Sequence, residues 1–340
     1  MNLGLWHLGA AVAVVTAAGT GSARAQVDIN FTLDWRYQGP TAAYLVAADK
    51  GYFEEEGLDV TIDAGNGSAG AVTRVASGAY QMGMADINAV VNFVVENPDQ
   101  DIKAVYMLYD APPFSVFTLK TSGIETPADM EGRSLGAPVF DASYQLFPAF
   151  AAETGIDESK VERINMDVPL RETMLATGEV DMISGHFFSS MLDLRAKGVA
   201  EEDVRYFLYA DYGMDFYGNA VIASGDFIAE HPDAIAAFLR ALARGWQDVI
   251  ADPAAAMDSV VARDPLVDPA LELERLHLAL DKNVMTPFVM EHGMGTIVPE
   301  RMASAIDQLA IAYGFTDKPT VDQIWTDAFL PEAELRMIGQ

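Results

Sequence analysis

The sequence predicts an α/β protein made of two related lobes. Three observations lead there. The chain has 340 residues, more than one core of ordinary size requires. From Val27 onward, apolar strands alternate with polar or glycine-rich loops and amphipathic helices, the order expected of an α/β sheet. A short motif with its flanking elements also occurs twice. Apolar residues make up 51% and charged residues 21%, enough to fill real cores and too apolar for a wholly disordered chain.

In chain order, Ile29-Asn-Phe-Thr-Leu33 alternates as a strand and breaks at Asp34-Trp35-Arg36-Tyr37-Gln38-Gly39-Pro40. Residues 41–51 place Tyr44, Leu45 and Ala48 at helical spacing, with Gly51 as the stop signal. Leu58-Asp-Val-Thr-Ile62 is the next strand, and the turn Gly65-Asn66-Gly67-Ser68 opens another helix. Met82-Gly-Met-Ala85 then runs into Asp86-Ile87-Asn88.

The stretch Ala76-Ser77-Gly78-Ala79-Tyr80-Gln81-Met82 is echoed by Ala176-Thr177-Gly178-Glu179-Val180-Asp181-Met182. Upstream, Ser134 to Ala137, the loop to Ser143 and a helix from Tyr144 repeat the strand, loop and helix of Ile29 to Gly51. Phe114–Leu119 and Ala220–Ala223 read as extended strands carrying the chain between lobes. This gives one lobe of residues 26–113 and 220–340 and a second of 114–219, joined by a two-stranded hinge. The later stripes Ile235, Phe238, Leu242, Trp246, then 271–280, then Met302, Ile306, Leu309, are assigned to packing on the first lobe, with Trp246 and Trp325 in cores.

Residues 1–25 join an apolar run from Leu8 to Ala18 to the triplet Ala23-Arg24-Ala25, as a cleavable secretory signal does, so export to the periplasm is expected, with cleavage before Gln26. No later stretch approaches the roughly 18 to 20 apolar residues that span a bilayer. The formal charge is −29, and losing Arg24 makes the mature chain one unit more negative, which leaves no basic footprint for nucleic acid. The absence of cysteine excludes disulfides, thiolate metal sites, a cysteine nucleophile and a lipidated-cysteine anchor.

Ligands of open α/β sheets bind beyond the carboxyl ends of the strands. The loops there offer Asp34, Trp35, Tyr37, Asn66, Gly67, Ser68, Asp86 and Asn88 on the first lobe. The second offers Phe140, Asp141, Ser143, Tyr144, His186, Phe187 and Phe188, and the crossover Tyr217 and Asn219. Aromatic plates with hydrogen-bonding groups between them suit a flat polar solute. Plainer roles stand beside these: Asp34 and Asp141 as helix caps, Trp35 or Tyr37 as a seal, Gly67-Ser68 as a helix start, His186 as an interior residue. The five histidines show no metal-ligand spacing, and Asn66-Gly67-Ser68 is neither a nucleophile elbow nor a phosphate loop with its lysine. No enzyme activity, metal or cofactor is expected.

Leu33-Asp34-Trp35, Tyr44-Leu-Val-Ala47, Lys50-Gly51-Tyr52-Phe53 with Glu56-Gly57-Leu58-Asp59-Val60, and the later Leu175-Ala-Thr-Gly-Glu-Val-Asp181, resemble the nitrate/sulfonate/taurine-type ABC solute-binding family, which includes receptors for thiamine pyrimidine precursors. The resemblance implies a type II periplasmic-binding fold and a monomeric receptor delivering a small solute to an inner-membrane permease and its ATPase. Leu-Asp-Trp resembles the pyrimidine-precursor branch, in which the tryptophan stacks on the heterocycle and acids receive its amino groups, here Trp35 and Asp34. The continuation Arg36-Tyr37-Gln38-Gly39-Pro40 departs from that branch's Pro-Asn pair and histidine. A sulfonate, nitrate or carboxylate held by Arg36 and the helix starts at Ser68 and Ser143 therefore stays open, as does the catalysis of related pyrimidine synthases, whose cysteine-rich motif this chain lacks.

Overall fold

Strands β1 (Val27–Thr32), β2 (Leu58–Asp63), β3 (Met82–Asp86) and β4 (Ile102–Met107) form one sheet with β10 (Asn219–Ser224), in the order β2-β1-β3-β10-β4. Strands β5 (Phe114–Leu119), β6 (Ser134–Ala137), β7 (Glu162–Asn165), β8 (Met182–His186) and β9 (Val204–Leu208) form the other, in the order β7-β6-β8-β5-β9. The computed structural model describes Met1 and residues 26–339, so the expected export signal lies outside the described residues. No helix among the described residues is long and apolar enough to cross a membrane.

The two sheets are topological copies. β1 pairs in parallel with β2 and β3, as β6 does with β7 and β8. Each sheet is completed by an antiparallel strand next to its central one, β10 against β3 and β5 against β8. The repeated motif falls at one place in both copies, between the helix Ser68–Ala76 and β3 and between the helix Arg171–Thr177 and β8. β5 and β10 were expected to carry the chain across. Each instead lies inside a sheet, flanked on both sides, and the crossings are made by residues 108–113 and 209–218.

In the first sheet β3 is buried throughout and β10 nearly so, whereas β1 and β2 alternate, exposing Asp28, Asn30, Asp59 and Thr61 and turning apolar residues inward. Phe31 of β1 stacks on Phe238 at 5.0 Å between centroids, and Phe238 on Phe53 at 4.9 Å. Phe238 belongs to the helix Pro232–Ala251, whose stripe Ile235, Phe238, Leu239, Leu242, Trp246 and Val249 is wholly buried. Each such side chain contributes about 1.5 to 3 kcal/mol on leaving water. Proline at the first turn starts this helix, and Asp268 caps Pro269–Ala279 by accepting from the Ala270 amide.

One packing expectation is corrected. The helix Pro299–Tyr313, placed by its apolar stripe on the first lobe, lies against both: Met302, Ile306 and Leu309 share a cluster with Leu146, Phe147 and Phe150 of the second. Its Tyr313 hydroxyl donates to the Gln145 carbonyl. An apolar stripe says that a helix face is covered, not by which lobe.

Candidate functional site

The loops after β1, β2, β6 and β8 meet between the sheets around a narrow cavity. Its wall includes Asp34, Trp35, Arg36, Gln38, Pro40 and Thr41 from the first loop, with Gly67 and Ser68 from the next. The second lobe supplies Asp141, Ala142, Arg171, His186, Phe188 and Ser189. Met84 of β3, Tyr109 of the first crossing and Asn219 at the start of β10 complete it.

Asp34 is held by the local architecture. Its main-chain oxygen accepts from the Gly67 amide at 2.6 Å, tying the first loop to the second. Its carboxylate Oδ2 accepts from Asn219 Nδ2 at 2.7 Å and from Ser68 Oγ at 3.0 Å. Burial pushes its pKa up to about 6 against the lowering effect of those two hydrogen bonds. Asp34 is thus no helix cap. Asp141 is one, accepting from the Tyr144 amide at 2.9 Å, and it also pairs with Arg171 at 3.2 Å. Burial raises its pKa and the guanidinium opposes the rise.

Trp35 spans the cleft. Arg171 Cζ lies 4.9 Å from its ring centroid, and its indole Nε1 is buried with no partner among the described residues. Asn219 Oδ1 is likewise buried and unpartnered. His186 makes aromatic contacts with Phe188 at 5.6 Å and Tyr109 at 6.3 Å. Burial first, and the nearby Arg171 charge second, lower its pKa to about 3, so it is neutral at physiological pH.

The lobes also touch each other directly. The Ala69 amide donates to the Phe140 carbonyl at 3.2 Å, and Ser189 Oγ to Gln38 Oε1 at 3.1 Å. Arg36 Nη2 lies 2.6 Å from Asp193 Oδ2. Gly67, at φ 139°, sits where a side chain is excluded, since an added Cβ would lie 2.2 Å from the Phe140 oxygen.

Of the residues singled out from the sequence, Asp34, Trp35, Arg36, Gly67, Ser68, Asp141, His186, Phe188 and Asn219 line this cavity. The others do not. The Tyr37 hydroxyl donates to the Ile62 carbonyl, and Asn66 is exposed. Phe140 is 42% exposed and lines an outer groove with Tyr313 and Phe315. Tyr144 is covered by Arg163, whose Cζ is 3.8 Å from its ring centroid, and Tyr217 by Arg301 at 4.0 Å. Phe187 packs into two apolar clusters. Asp86 caps the helix Ile87–Glu96, and Asn88 donates to Asp86 and to the Tyr217 carbonyl. Ser143 is fully buried, and its carbonyl accepts from the Tyr209 hydroxyl.

Tyr109, Arg171, Met84 and Ser189 escaped the sequence reading. The repeat carried a signal for one of them: Ser68 opens the helix before β3, and Arg171 opens its counterpart before β8. Nothing comparable marks Tyr109, which reaches the cavity from a crossing.

Two α/β lobes with a cavity between their facing loop tips have the architecture of the periplasmic-binding fold. The chain belongs to the NMT1/THI5-like family, whose model matches residues 39–256. Among its relatives, a formylaminopyrimidine-binding protein from Halalkalibacterium halodurans is 25% identical, covering 75% of this chain and 77% of that one. The riboflavin-binding protein RibY of Chloroflexus aurantiacus is also 25% identical, covering 85% and 82%. A 4-amino-5-hydroxymethyl-2-methylpyrimidine phosphate synthase of Aspergillus parasiticus is 26% identical, covering 70% and 71%. The same fold is seen in the alkanesulfonate-binding protein SsuA from Xanthomonas axonopodis pv. citri bound to MOPS, with a TM-score of 0.70 at 12% identity over 89% of this chain and 99% of that one.

Proposed function

We propose that the protein is the periplasmic solute-binding component of an ABC importer. It captures a small planar polar solute of the aminopyrimidine kind when its lobes, residues 26–113 with 220–340 and residues 114–219, close about the crossings, and it hands that solute to a permease and ATPase in the inner membrane. The observation that carries the solute class is the charge arrangement in the cavity. Among the described residues the carboxylate of Asp34 has only neutral partners, Ser68 and Asn219, whereas both lining arginines are paired with carboxylates of the protein. Such a cavity receives hydrogen-bond donors, and Trp35, Tyr109 and Phe188 supply flat apolar walls for a ring. The names of the pyrimidine- and riboflavin-binding relatives support a flat heterocycle.

We read the chain as a receptor rather than a pyrimidine synthase because the side chains at the cavity are committed to one another. His186 is held neutral, and Asp141 is shared between a helix cap and Arg171. The test is calorimetry and thermal unfolding with aminopyrimidines, flavins, sulfonates and aromatic acids. A ligand that binds only the native state raises its stability in proportion to RT ln(1 + [L]/Kd). Aminopyrimidines are expected to stabilise the protein and to be recovered unchanged; a stabilising sulfonate beside inert pyrimidines sinks the solute class, and turnover of the bound ring sinks the receptor role.

A further inference from the structure

Both guanidinium groups in the cavity wall are already held by carboxylates of the protein. Arg171 lies between Asp141 at 3.2 Å and Glu172 at 2.7 Å, all three buried. Arg36 reaches from the first lobe to Asp193 on the helix Phe187–Ala196 of the second, at 2.6 Å. The other oxygen of Asp193 takes Nη2 of Arg275 at 2.7 Å.

The two arginines on Asp193 differ in what else they hold. Arg275 is fully buried, pairs with Glu272 at 3.0 Å, and donates to the carbonyls of Phe188 and Ser189 at 3.1 and 2.8 Å. Arg36 has no carboxylate but Asp193 among the described residues, and its side chain is 40% exposed. Removing the Asp193 charge therefore frees one cation at the cavity, Arg36, while Arg275 stays held.

We infer that Asp193 is a specificity-determining residue: in the closed cleft it occupies the guanidinium of Arg36 that a solute anion would need, so the lobes shut on neutral or cationic solutes and reject sulfonates and carboxylates. This rests on the closing, two-lobed receptor proposed above. An arginine recognises an anion through charge-assisted, often paired hydrogen bonds, and Arg36 spends its own on the opposite lobe. An anion drawing Arg36 away would leave Asp193, with only 14% of its side chain exposed, short of a partner, and would face the carboxylates of Asp34 and Asp141 across the cavity. Discrimination of this sort works by an unfavourable contact with the wrong solute.

The test compares wild type, Asp193→Asn and the double variant Asp193→Asn/Arg36→Gln by calorimetry with benzenesulfonate. Asp193→Asn is expected to bind the sulfonate at least tenfold more tightly than wild type, and the double variant to lose that gain. Equal affinity in wild type and Asp193→Asn, or a gain that survives Arg36→Gln, overturns the proposal. If Asp193→Asn does not fold, the exposed substitution Arg36→Gln in the wild-type background carries the test. Sulfonate binding that is equally weak with and without Arg36 upholds the assignment, and wild-type binding that Arg36→Gln abolishes overturns it. A wild type that ignores aminopyrimidines counts against the heterocycle alone, because every comparison here is made on the sulfonate.

Discussion

Trp35 of the first lobe lies across the guanidinium of Arg171 in the second, 4.9 Å from ring centroid to Cζ, and so carries a contact between the two lobes. A desolvated cation–π pair contributes about 2 kcal/mol, and a good stacking partner about 0.5 to 1.5 kcal/mol more. Trp35→Ala is therefore expected to weaken solute binding at least tenfold, about 1.4 kcal/mol, without lowering the thermal stability of the ligand-free protein by a comparable amount. Calorimetry beside thermal unfolding checks both halves, and unchanged affinity removes Trp35 from the site.

Solute affinity should depend on pH through Asp34. Burial holds its pKa at about 6, so a carboxylate able to accept from a solute is present above that value and lost below it. For a solute whose own charge is constant in the window, the dissociation constant is expected to rise towards tenfold per pH unit below pH 6 and to be flat above pH 7. Asp34→Asn binds more weakly at neutral pH and shows no such slope. A titration curve identical in the two proteins would place the donor-accepting group elsewhere.

Much of the fold was legible because strands and helices announce themselves by period. Val27–Thr32 falls within two residues of where alternation puts it, and Pro232–Ala251 contains the whole of its apolar stripe. Neighbours in a sheet have no such local signal, so Phe114–Leu119 reads as extended without revealing that it lies between β8 and β9. In the site, the rule that loops follow the carboxyl ends of strands reached Asp34, Trp35 and Ser68. It also drew in Tyr144 and Tyr217, which resemble open aromatic plates until Arg163 and Arg301 are found covering them. Buried arginines were the blind spot: Arg171 and Arg275 look like solvated surface residues in sequence, and the tertiary approach of Asp141 and Asp193, added to the local partners Glu172 and Glu272, makes burying them tolerable.

Gly67 separates closing from binding. An added Cβ would meet the Phe140 oxygen at 2.2 Å, a contact between lobes, and φ 139° already favours glycine there. Gly67→Ala is expected to lose at least tenfold in affinity, mostly through faster solute release, and to show no contraction in small-angle scattering when solute is added. Wild-type release and a normal contraction would mean that the two loop tips do not meet in the closed form.

The buried carboxyl of Asp86 predicts how stability varies with pH, independently of any solute. Its Oδ1 accepts from the Asn88 amide at 3.2 Å and side chain at 2.8 Å, while Oδ2 has no partner among the described residues. Burial, opposed by those hydrogen bonds, pushes its pKa to about 8, whereas the unfolded chain ionises it near 3.8. The native state therefore holds a proton that the unfolded state has released, and the resulting stability is complete below about pH 4 and lost as pH rises through about 8. His186 acts in the opposite direction: its pKa of about 3 against 6.5 unfolded costs stability only as pH falls below about 6.5. Asp34, near 6, has largely ionised by pH 6.5. Between pH 6.5 and 8 Asp86 is thus the group to watch, and the ligand-free wild type is expected to lose on the order of 1 to 2 kcal/mol of unfolding free energy over that range. Asp86→Asn keeps an acceptor for the helix start and has no charge to develop, so its urea unfolding should vary much less across the window. Equal slopes in the two proteins would show that Asp86 is already ionised in the native state at pH 6.5.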